Sequence, residues 1–135
     1  MATRNILTKE EPGLYKKCRT VTDFNERLHQ LLDDMKETLG GAQGVGLAAP
    51  QVGVLRRAVL VIETNVPEGE DEYVIELINP EIIESSGEQY GPEGCLSVPG
   101  EFGLVKHVAS DLFRNLLNTF AVKIKHFFIS VIIKI

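Results

Sequence analysis

The amino-acid sequence predicts a single domain of the α+β class, and three observations lead to that prediction. An amphipathic helical pattern begins after Asp23, two β-branched apolar runs follow at residues 57–63 and 73–79, and no internal repeat or low-complexity linker separates them. At 135 residues the chain has the size of one small domain, which can bury a core without disulfides. An N-terminal helix followed by strands is therefore the simplest architecture.

The helix is predicted from apolar residues that recur at helical spacing. Asp23 is expected to cap it, and Glu26, three residues later, is expected to complete a capping box. Gly40 and Gly41 are expected to end it. The apolar face consists of Phe24, Leu28, Leu31, Leu32, Met35 and Leu39.

The strands are predicted from apolar β-branched runs bounded by turn residues. Residues 57–63 form the first run, and residues 65–71 form an acidic loop after it. Residues 73–79 form the second run, which Pro80 ends. Ile82 and Ile83 begin or continue a third strand.

Composition and charge argue against several classes of protein. Hydrophobic residues make up 44% and charged residues 24% of the chain, as in soluble globular proteins. The net charge of −5 argues against a nucleic-acid partner, because phosphates require clustered Lys and Arg. Cys18 and Cys95 do not make a disulfide framework. A secretory signal is absent, as is any run of the roughly 18–20 apolar residues that span a bilayer, so a cytoplasmic protein is expected.

The last part of the chain differs from the rest in composition. Residues 1–103 hold 9 Lys and Arg against 18 Asp and Glu, whereas residues 104–135 hold 5 against 1. The later residues also lack Gly, Pro and Glu and contain four of the six Phe. AT-rich DNA read in an arbitrary frame yields such a composition. We therefore expect an incomplete domain over residues 1–105 and a divergent, basic and hydrophobic tail over residues 106–135.

Two elements are predicted within this tail. Ser110 or Asp111 is expected to cap a short helix. The last fifteen residues, 121–135, are rich in β-formers, free of Pro and an aggregation hazard if exposed. The apolar face of the predicted helix consists of Leu112, Phe113, Leu116, Leu117 and Phe120.

The first segment with candidate chemistry covers residues 44–51, which read GVGLAAPQ. Glycines let the backbone approach a ligand closely, and alanines allow tight packing around it. Gln51 ends the run with an amide that can both donate and accept hydrogen bonds. Taken alone, such a turn is more often packing than catalysis. It is not a dinucleotide or P-loop fingerprint, because no good strand precedes it and no Gly-Lys-Ser/Thr follows.

The second segment covers residues 93–100, which read EGCLSVPG. Cys95 lies between a glycine and a serine-containing turn, an unusual place for a thiol that only fills a core. A thiolate is a soft ligand for iron or zinc. A cysteine nucleophile would need a histidine base nearby. The residues alone leave three readings of Cys95 open: a structural thiol, a metal ligand or a nucleophile.

Together the two segments resemble the first two motifs of the peptide deformylase family, Gly-φ-Gly-φ-Ala-Ala-x-Gln and Glu-Gly-Cys-φ-Ser, where φ is apolar. Both motifs are complete, in order and at a spacing typical of the family. The opening around Ile6 and Leu7 is similar too, so the resemblance covers about residues 1–105. It implies a peptide-deformylase-like α+β fold with an N-terminal helix, antiparallel or mixed sheets and a central metal-binding helix.

The resemblance implies a metal-dependent hydrolase that removes the formyl group from the N-terminal formyl-methionine of nascent proteins near the ribosome. One cysteine and two histidines hold the family's divalent metal, usually ferrous iron and sometimes zinc, nickel or cobalt. Cys95 would be the thiolate ligand. The metal would lower the pKa of its bound water and so supply hydroxide near neutral pH.

The resemblance also implies roles for the residues around Cys95. The side chain of Gln51 and the backbone N–H of Leu96 would stabilise the oxyanion that forms on the formyl oxygen. Gly46 would contact the substrate backbone, and Val45 would line the methionine pocket. Gly94 would sit beside the turn that carries the ligand.

The third motif of the family, His-Glu-x-x-His on a helix, does not occur in the 135 residues. Its spacing places two imidazoles on one helix face, with the Glu as general base. The histidines here are His29, expected to be a surface or core filler, and His107 and His126, nineteen positions apart. We therefore expect the two imidazole ligands, the base and the central helix to be missing, and the chain as it stands to be inactive.

The sequence leaves three functions open. The first is a peptide deformylase by family descent. The second is a non-catalytic remnant of a truncated or frame-shifted gene. The third is a module that binds formyl-Met or Met peptides without catalysis.

Overall fold

A computed structural model of the chain describes residues 1–107, 110–114 and 121–125. Its α-helix, α1, spans Glu26–Ala42, and two short 3-10 helices span Pro12–Tyr15 and Ala49–Val52. Within the described ranges α1 is the only α-helix. The strands β1 to β8, in chain order, are Gly46–Ala48, Ala58–Glu63, Tyr73–Ile78, Glu81–Ser86, Gln89–Cys95, Val98–His107, Ser110–Arg114 and Ala121–Lys125. One helix with antiparallel strands confirms the α+β class.

The strands form three antiparallel groups. The central sheet has the order β1-β2-β3, β5 and β6 form a two-stranded hairpin, and β4 pairs with β7, which pairs with β8. The predicted strand at residues 57–63 is confirmed with one residue fewer, and the predicted third strand at Ile82 and Ile83 lies inside β4. No helix in the described ranges is long and apolar enough to cross a membrane.

The core lies between α1 and one face of the central sheet. Alternate residues of β2 point to opposite faces, and both faces are covered: Leu60 is 0% exposed on the helix side and Val59 is 0% exposed on the other. Burial on both faces explains why β2 reads as a continuous apolar run. The residues packed between helix and sheet include Leu28, Leu32, Met35, Leu39, Leu47, Ala58, Leu60 and Ile78.

The helix begins two residues later than the sequence predicted. Asn25, not Asp23, is the N-cap, and its side chain accepts hydrogen bonds from the backbone N–H groups of Arg27 and Leu28. The predicted capping box of Asp23 with Glu26 was wrong, because Asn25 caps as well as Asp and stands next to the first helical residue. Phe24 therefore precedes the helix and is exposed, contrary to its predicted place on the apolar face.

The helix also ends later than predicted. Gly40 and Gly41 lie inside it, and it ends at Ala42 with Gln43 in the left-handed conformation (φ 54°). Each helical glycine costs about 1 kcal/mol relative to alanine, so tertiary contacts must hold the last turn. Gln43 takes the position that a glycine often occupies after a helix.

The second predicted strand, residues 73–79, also ends differently. Asn79 leaves β3 with a φ of 48°, a conformation that Asn tolerates better than most residues. Its side-chain oxygen accepts a hydrogen bond from Val21 N–H (2.8 Å), and its side-chain nitrogen donates to Val21 C=O (2.8 Å). This buried pair of bonds ties the chain ahead of α1 to the end of the central sheet.

The tail does not form the predicted short helix at its start. Residues 110–114 are strand β7, which pairs with β4 on one side and β8 on the other. Two neighbouring strands satisfy the backbone of this segment, and that advantage outweighs a weak helical preference. The rest of the predicted helix, including Leu116, Leu117 and Phe120, lies outside the described residues. The predicted strand character at residues 121–125 is confirmed in β8, and residues 126–135 lie outside the description.

The N-terminal segment lies along α1. The backbone N–H of Ala2 donates to the Asp34 carboxylate (3.0 Å), and that of Arg4 donates to the Thr38 hydroxyl (2.8 Å). The Arg4 guanidinium also pairs with the Asp34 carboxylate at 2.8 Å. Asp34 and Thr38 are buried polar residues on α1, and these contacts satisfy them.

Candidate functional site

A pocket of about 430 Å³ lies between two walls of the molecule. The first wall is residues 44–51, which comprise β1 and the start of the second 3-10 helix. The second wall is the β5–β6 hairpin with its turn. Six residues were predicted to build a site, and all of them line this pocket: Val45, Gly46, Gln51, Gly94, Cys95 and Leu96.

The amide of Gln51 has a defined orientation within this pocket. Its Oε1 accepts a hydrogen bond from the backbone N–H of Ala48 at 2.9 Å. Because a backbone N–H can only donate, the atom facing it must be the oxygen, and the nitrogen must face the other way. Nε2 lies 3.1 Å from the Ser97 hydroxyl oxygen and 3.8 Å from Cys95 Sγ. Gln51 thus presents donor hydrogens to the second wall.

Cys95 ends strand β5 where the hairpin pairing changes. The register shifts between Gly94 and Cys95, and such an irregularity re-aims the side chains beside it. Cys95 is half-buried and its thiol is free. The other cysteine, Cys18, is buried, and burial raises the pKa of its thiol. Cys18 therefore fits a packing role, whereas Cys95 faces a pocket.

The histidines do not approach Cys95 within the described part of the chain. His29 is exposed on α1, as the surface reading predicted. His107 pairs with Gln89, six residues along β5 from Cys95, or roughly 20 Å at the usual strand rise. His126 lies outside the described residues. The described backbone therefore places neither His29 nor His107 next to Cys95, where a base would be needed.

The metal site that the family resemblance implies does not fit the residues described. No group of three or more His, Cys, Asp or Glu side chains in residues 1–106 could hold a metal ion. A catalytic metal of this type requires about three protein ligands and an open position. Cys95 provides one possible metal ligand, its thiol sulfur. The Gln51 side chain turns its amide nitrogen toward that sulfur as a hydrogen-bond donor and does not provide a second soft ligand.

One glycine allows the two walls to meet closely, and a second allows the two strands of the hairpin to do so. A Cβ added to Gly44 would lie 2.8 Å from Cδ1 of Leu96, so the Leu96 side chain occupies the space that another residue would need. A Cβ added to Gly94 would lie 2.9 Å from Cε1 of Phe102. The glycine at position 44 therefore serves packing between the two segments, as the structural reading of this turn proposed.

The N-terminal strap, residues 7–9, crosses both walls. The backbone N–H of Leu7 donates to the carbonyl of Gln51 (2.8 Å), and that of Lys9 donates to the carbonyl of Ser97 (2.9 Å). The Lys9 ammonium also lies 2.6 Å from the Glu101 carboxylate, which raises the pKa of Lys9. The strap thus holds the two segments at a fixed separation.

Sequence reasoning missed several residues of this site. Ser97, 4% exposed, bonds to Gln51, and its place in the second motif was a signal that could have pointed to it. Val59 lies at the floor of the pocket, and Glu101 and Phe102 line it from β6. The sequence gave no indication of these positions, because the pairing of β5 with β6 brings Glu101 and Phe102 to the pocket and the packing of the central sheet brings Val59 there.

Known sequences resemble this chain over most of its length. A sequence model of the family described as polypeptide deformylase matches residues 3–110. A peptide deformylase of Alkaliphilus metalliredigens is 51% identical over 116 residues, covering 86% of this chain and 74% of that protein. A peptide deformylase of Agathobacter rectalis is 54% identical over 105 residues, covering 78% of this chain and 62% of that protein. The matched part is therefore about two thirds of these relatives' length.

Solved structures resemble this fold as well. A peptide deformylase from Legionella pneumophila has a TM-score of 0.84 at 34% identity, covering 98% of this chain and 80% of that one. A class I type b peptide deformylase from Acinetobacter baumannii, solved with Met-Ala-Ser bound, has a TM-score of 0.80 at 30% identity, covering 98% of this chain and 89% of that one. These likenesses confirm the fold that the motifs predicted.

Proposed function

Because this chain belongs to the peptide deformylase family, we propose that its pocket receives the N-formyl-methionyl end of nascent peptides, the substrate whose formyl group the family removes. One observation carries the proposal. Six residues from two segments more than forty positions apart line a single pocket, and the Gln51 amide donates toward Cys95 across it. A pocket of about 430 Å³ is large enough for a methionine side chain and its formyl group.

The proposed roles follow from the chemistry of the groups that face the pocket. The Nε2 of Gln51 and the backbone N–H of Leu96 would donate to the formyl oxygen as negative charge develops on it. Gly46 and Gly94 would allow the peptide backbone close approach. Val45, which is 40% exposed on the pocket wall, would contact the apolar methionine side chain.

Peptide binding by a solved relative supports this choice of ligand. The Acinetobacter baumannii deformylase was solved with Met-Ala-Ser bound, and its fold matches this chain with a TM-score of 0.80. The methionine of that tripeptide corresponds to the residue that a formyl group would precede. A formylated Met-Ala-Ser peptide is therefore the natural probe for this pocket.

Hydrolysis requires groups that the described residues do not bring to Cys95. The family's metal, whether iron, zinc, nickel or cobalt, needs two imidazoles beside the thiolate, and its base is a glutamate. No His-Glu-x-x-His segment occurs in residues 1–135. We infer that these 135 residues bind the peptide without turning it over. A cytoplasmic location near the ribosome belongs to the same proposal.

The test measures binding and turnover on the 135-residue chain. Labelled formyl-Met-Ala-Ser is titrated by fluorescence anisotropy, with N-acetyl-Met-Ala-Ser and formyl-Asp-Ala-Ser as matched controls. We expect formyl-Met-Ala-Ser to bind at least about tenfold more tightly than formyl-Asp-Ala-Ser, because an apolar pocket disfavours a charge. Equal binding of all three peptides would contradict the proposed site.

Turnover is measured on the same peptide with ferrous, nickel or zinc ion added. We expect no deformylation above the blank that contains metal alone. Turnover above that blank, abolished by Cys95→Ala, would show that other residues complete the metal site and would overturn the non-catalytic reading.

The change in composition near residue 104 favours one further candidate, a frame-shifted remnant. On this proposal the deformylase-like part ends near residue 105, and residues 106–135 are a divergent tail. Translating the DNA downstream of codon 105 in the other two frames tests it. A His-Glu-x-x-His segment in either frame would support the remnant, and its absence from both would contradict it.

A further inference from the structure

We propose that Ser97 is a positioning residue, which fixes the Gln51 side-chain amide so that one of its N–H groups faces the pocket. This inference rests on the proposed role of Gln51 as a donor to the substrate. It concerns a residue whose side chain acts through Gln51 rather than on the peptide.

Three hydrogen bonds of the Gln51 side-chain amide fix its orientation. Oε1 is bound by Ala48 N–H at 2.9 Å, which excludes the flipped amide. One hydrogen of Nε2 is taken by the Ser97 hydroxyl oxygen at 3.1 Å. The second hydrogen is left on the side of Cys95 Sγ, 3.8 Å away, where the pocket lies. Ala48 and Ser97 together define where this second hydrogen points.

Both residues of the Gln51–Ser97 hydrogen bond are buried. Gln51 is 6% exposed and Ser97 is 4% exposed, so water cannot readily replace either partner. A buried donor that loses its acceptor is costly, and without Ser97 only the bond from Ala48 N–H would restrict rotation of the Gln51 amide about its last bond. The Ser97 hydroxyl therefore acts as a local constraint on an otherwise flexible side chain.

The N-terminal strap holds the backbone beneath both residues. Leu7 N–H binds the Gln51 carbonyl and Lys9 N–H binds the Ser97 carbonyl, so a three-residue segment fixes the distance between them. A side-chain hydrogen bond across two separate segments needs such support, because a shift of about 1 Å would lengthen it beyond the usual range. The Gln51–Ser97 bond and the strap form one unit.

The test observes the Gln51 side-chain amide directly by ¹⁵N NMR, assigned with a Gln51→Glu variant. Ser97→Ala removes the acceptor, and Ser97→Thr retains it. We expect Ser97→Ala to speed hydrogen exchange of the Gln51 amide with water by about tenfold, and Ser97→Thr to leave it within about twofold of the original. Asn79 is the matched control, because its side-chain amide is also buried but is held by hydrogen bonds to Val21 rather than to Ser97.

The control separates positioning from general support of the fold. If Ser97→Ala speeds exchange at Gln51 and Asn79 equally, Ser97 is merely structural and the inference is overturned. Unchanged exchange at Gln51 would overturn it as well. Should Ser97→Ala fail to fold, Ser97→Cys keeps the side-chain size with a weaker acceptor, and faster exchange at Gln51 alone is again the expected result.

Peptide binding distinguishes failure of this inference from failure of the proposed function. We expect Ser97→Ala to weaken formyl-Met-Ala-Ser binding about fivefold and Ser97→Thr to restore it, with Met-Ala-Ser binding changed less. If the original chain binds no formyl peptide, the proposed function fails while the amide measurement still decides the role of Ser97. If binding is seen but the amide does not respond to Ser97→Ala, only the inference fails.

Discussion

The first wall of the pocket is anchored in the core, whereas the second wall stands largely outside it. Leu47, Ala48 and Ala49 in the first wall are at most 1% exposed, and the sheet behind them packs against α1. In the second wall, Phe102 and Leu104 are 79% and 78% exposed, and within the described part of the chain the hairpin consists of two strands. An isolated two-stranded hairpin is marginally stable in water.

Because the second wall has little core of its own, its contacts with the first wall decide the geometry of the site. Leu96 packs into the space beside Gly44, Gln51 donates to Ser97, and the strap bonds to both segments. Each of these contacts restricts the position of the hairpin relative to the core. The donor groups of the second wall are therefore only as well placed as these few contacts allow.

The largest expected effect comes from the core behind the first wall. Leu32→Ala should lower the free energy of unfolding by about 2–5 kcal/mol, because Leu32 is 1% exposed and its removal leaves a cavity. Leu104→Ala in the hairpin is the matched control, and its effect should stay within about 0.5 kcal/mol. Urea unfolding measures both. A comparable loss for the two variants would show that the hairpin is part of the core after all.

A smaller effect is expected where the walls meet. Gly44→Ala should destabilise the chain by about 1–3 kcal/mol, because its Cβ would lie 2.8 Å from Leu96. Gly103→Ala is the control, since a Cβ there meets nothing within 4 Å. Adding Leu96→Ala to Gly44→Ala should cost less than the two changes summed. If the losses in the free energy of unfolding measured by urea were strictly additive, Gly44 and Leu96 would not be in energetically coupled contact.

The smallest effect is expected at the anchor of the N-terminal segment, and it depends on pH. The pKa of Asp34 lies below its ordinary value of 3.8, first because Gln30 donates a hydrogen bond and also because Ala2 and Arg4 do. A carboxyl whose pKa is lowered by folding stabilises the fold at pH values above its unfolded pKa. That stabilisation is lost as the pH falls through its folded pKa.

The urea midpoint of Asp34→Asn should therefore fall below that of the original chain at pH 7, and the gap should narrow below about pH 4. Glu37→Gln, an exposed change on the same helix, serves as the control and should show no such trend. A gap for Asp34→Asn that stays constant from pH 7 to pH 3 would contradict this account of the anchor.

The sequence predicted the parts of the fold that depend on local pattern. The strands at residues 58–63 and 73–78 follow from β-branched apolar runs, and two short motifs pointed to the residues that line the pocket. Close sequence spacing holds each motif together, so the chemistry of each could be read directly. The roles proposed for Gln51 and Leu96 stay predictions until peptide binding is measured.

Two features that sequence reasoning missed, the strap and strand β7, depend on partners distant in the chain. The strap has no distinctive composition, and only the folded chain brings Lys9 to Ser97, 88 residues away. Residues 110–114 were predicted as the start of a helix and form a strand because β4 offers them hydrogen bonds. Asn25 caps the helix in place of Asp23, a choice between two good caps that spacing alone does not make.

The strap also has a consequence for the order in which the molecule assembles. Its contacts join residues 7 and 9 to residues 51, 97 and 101, so they are among the least local in the chain. Contacts of such separation carry the greatest loop-closure entropy and form late. The helix and central sheet can therefore condense first, and the pocket acquires its final geometry only when the earliest residues of the chain close over the hairpin.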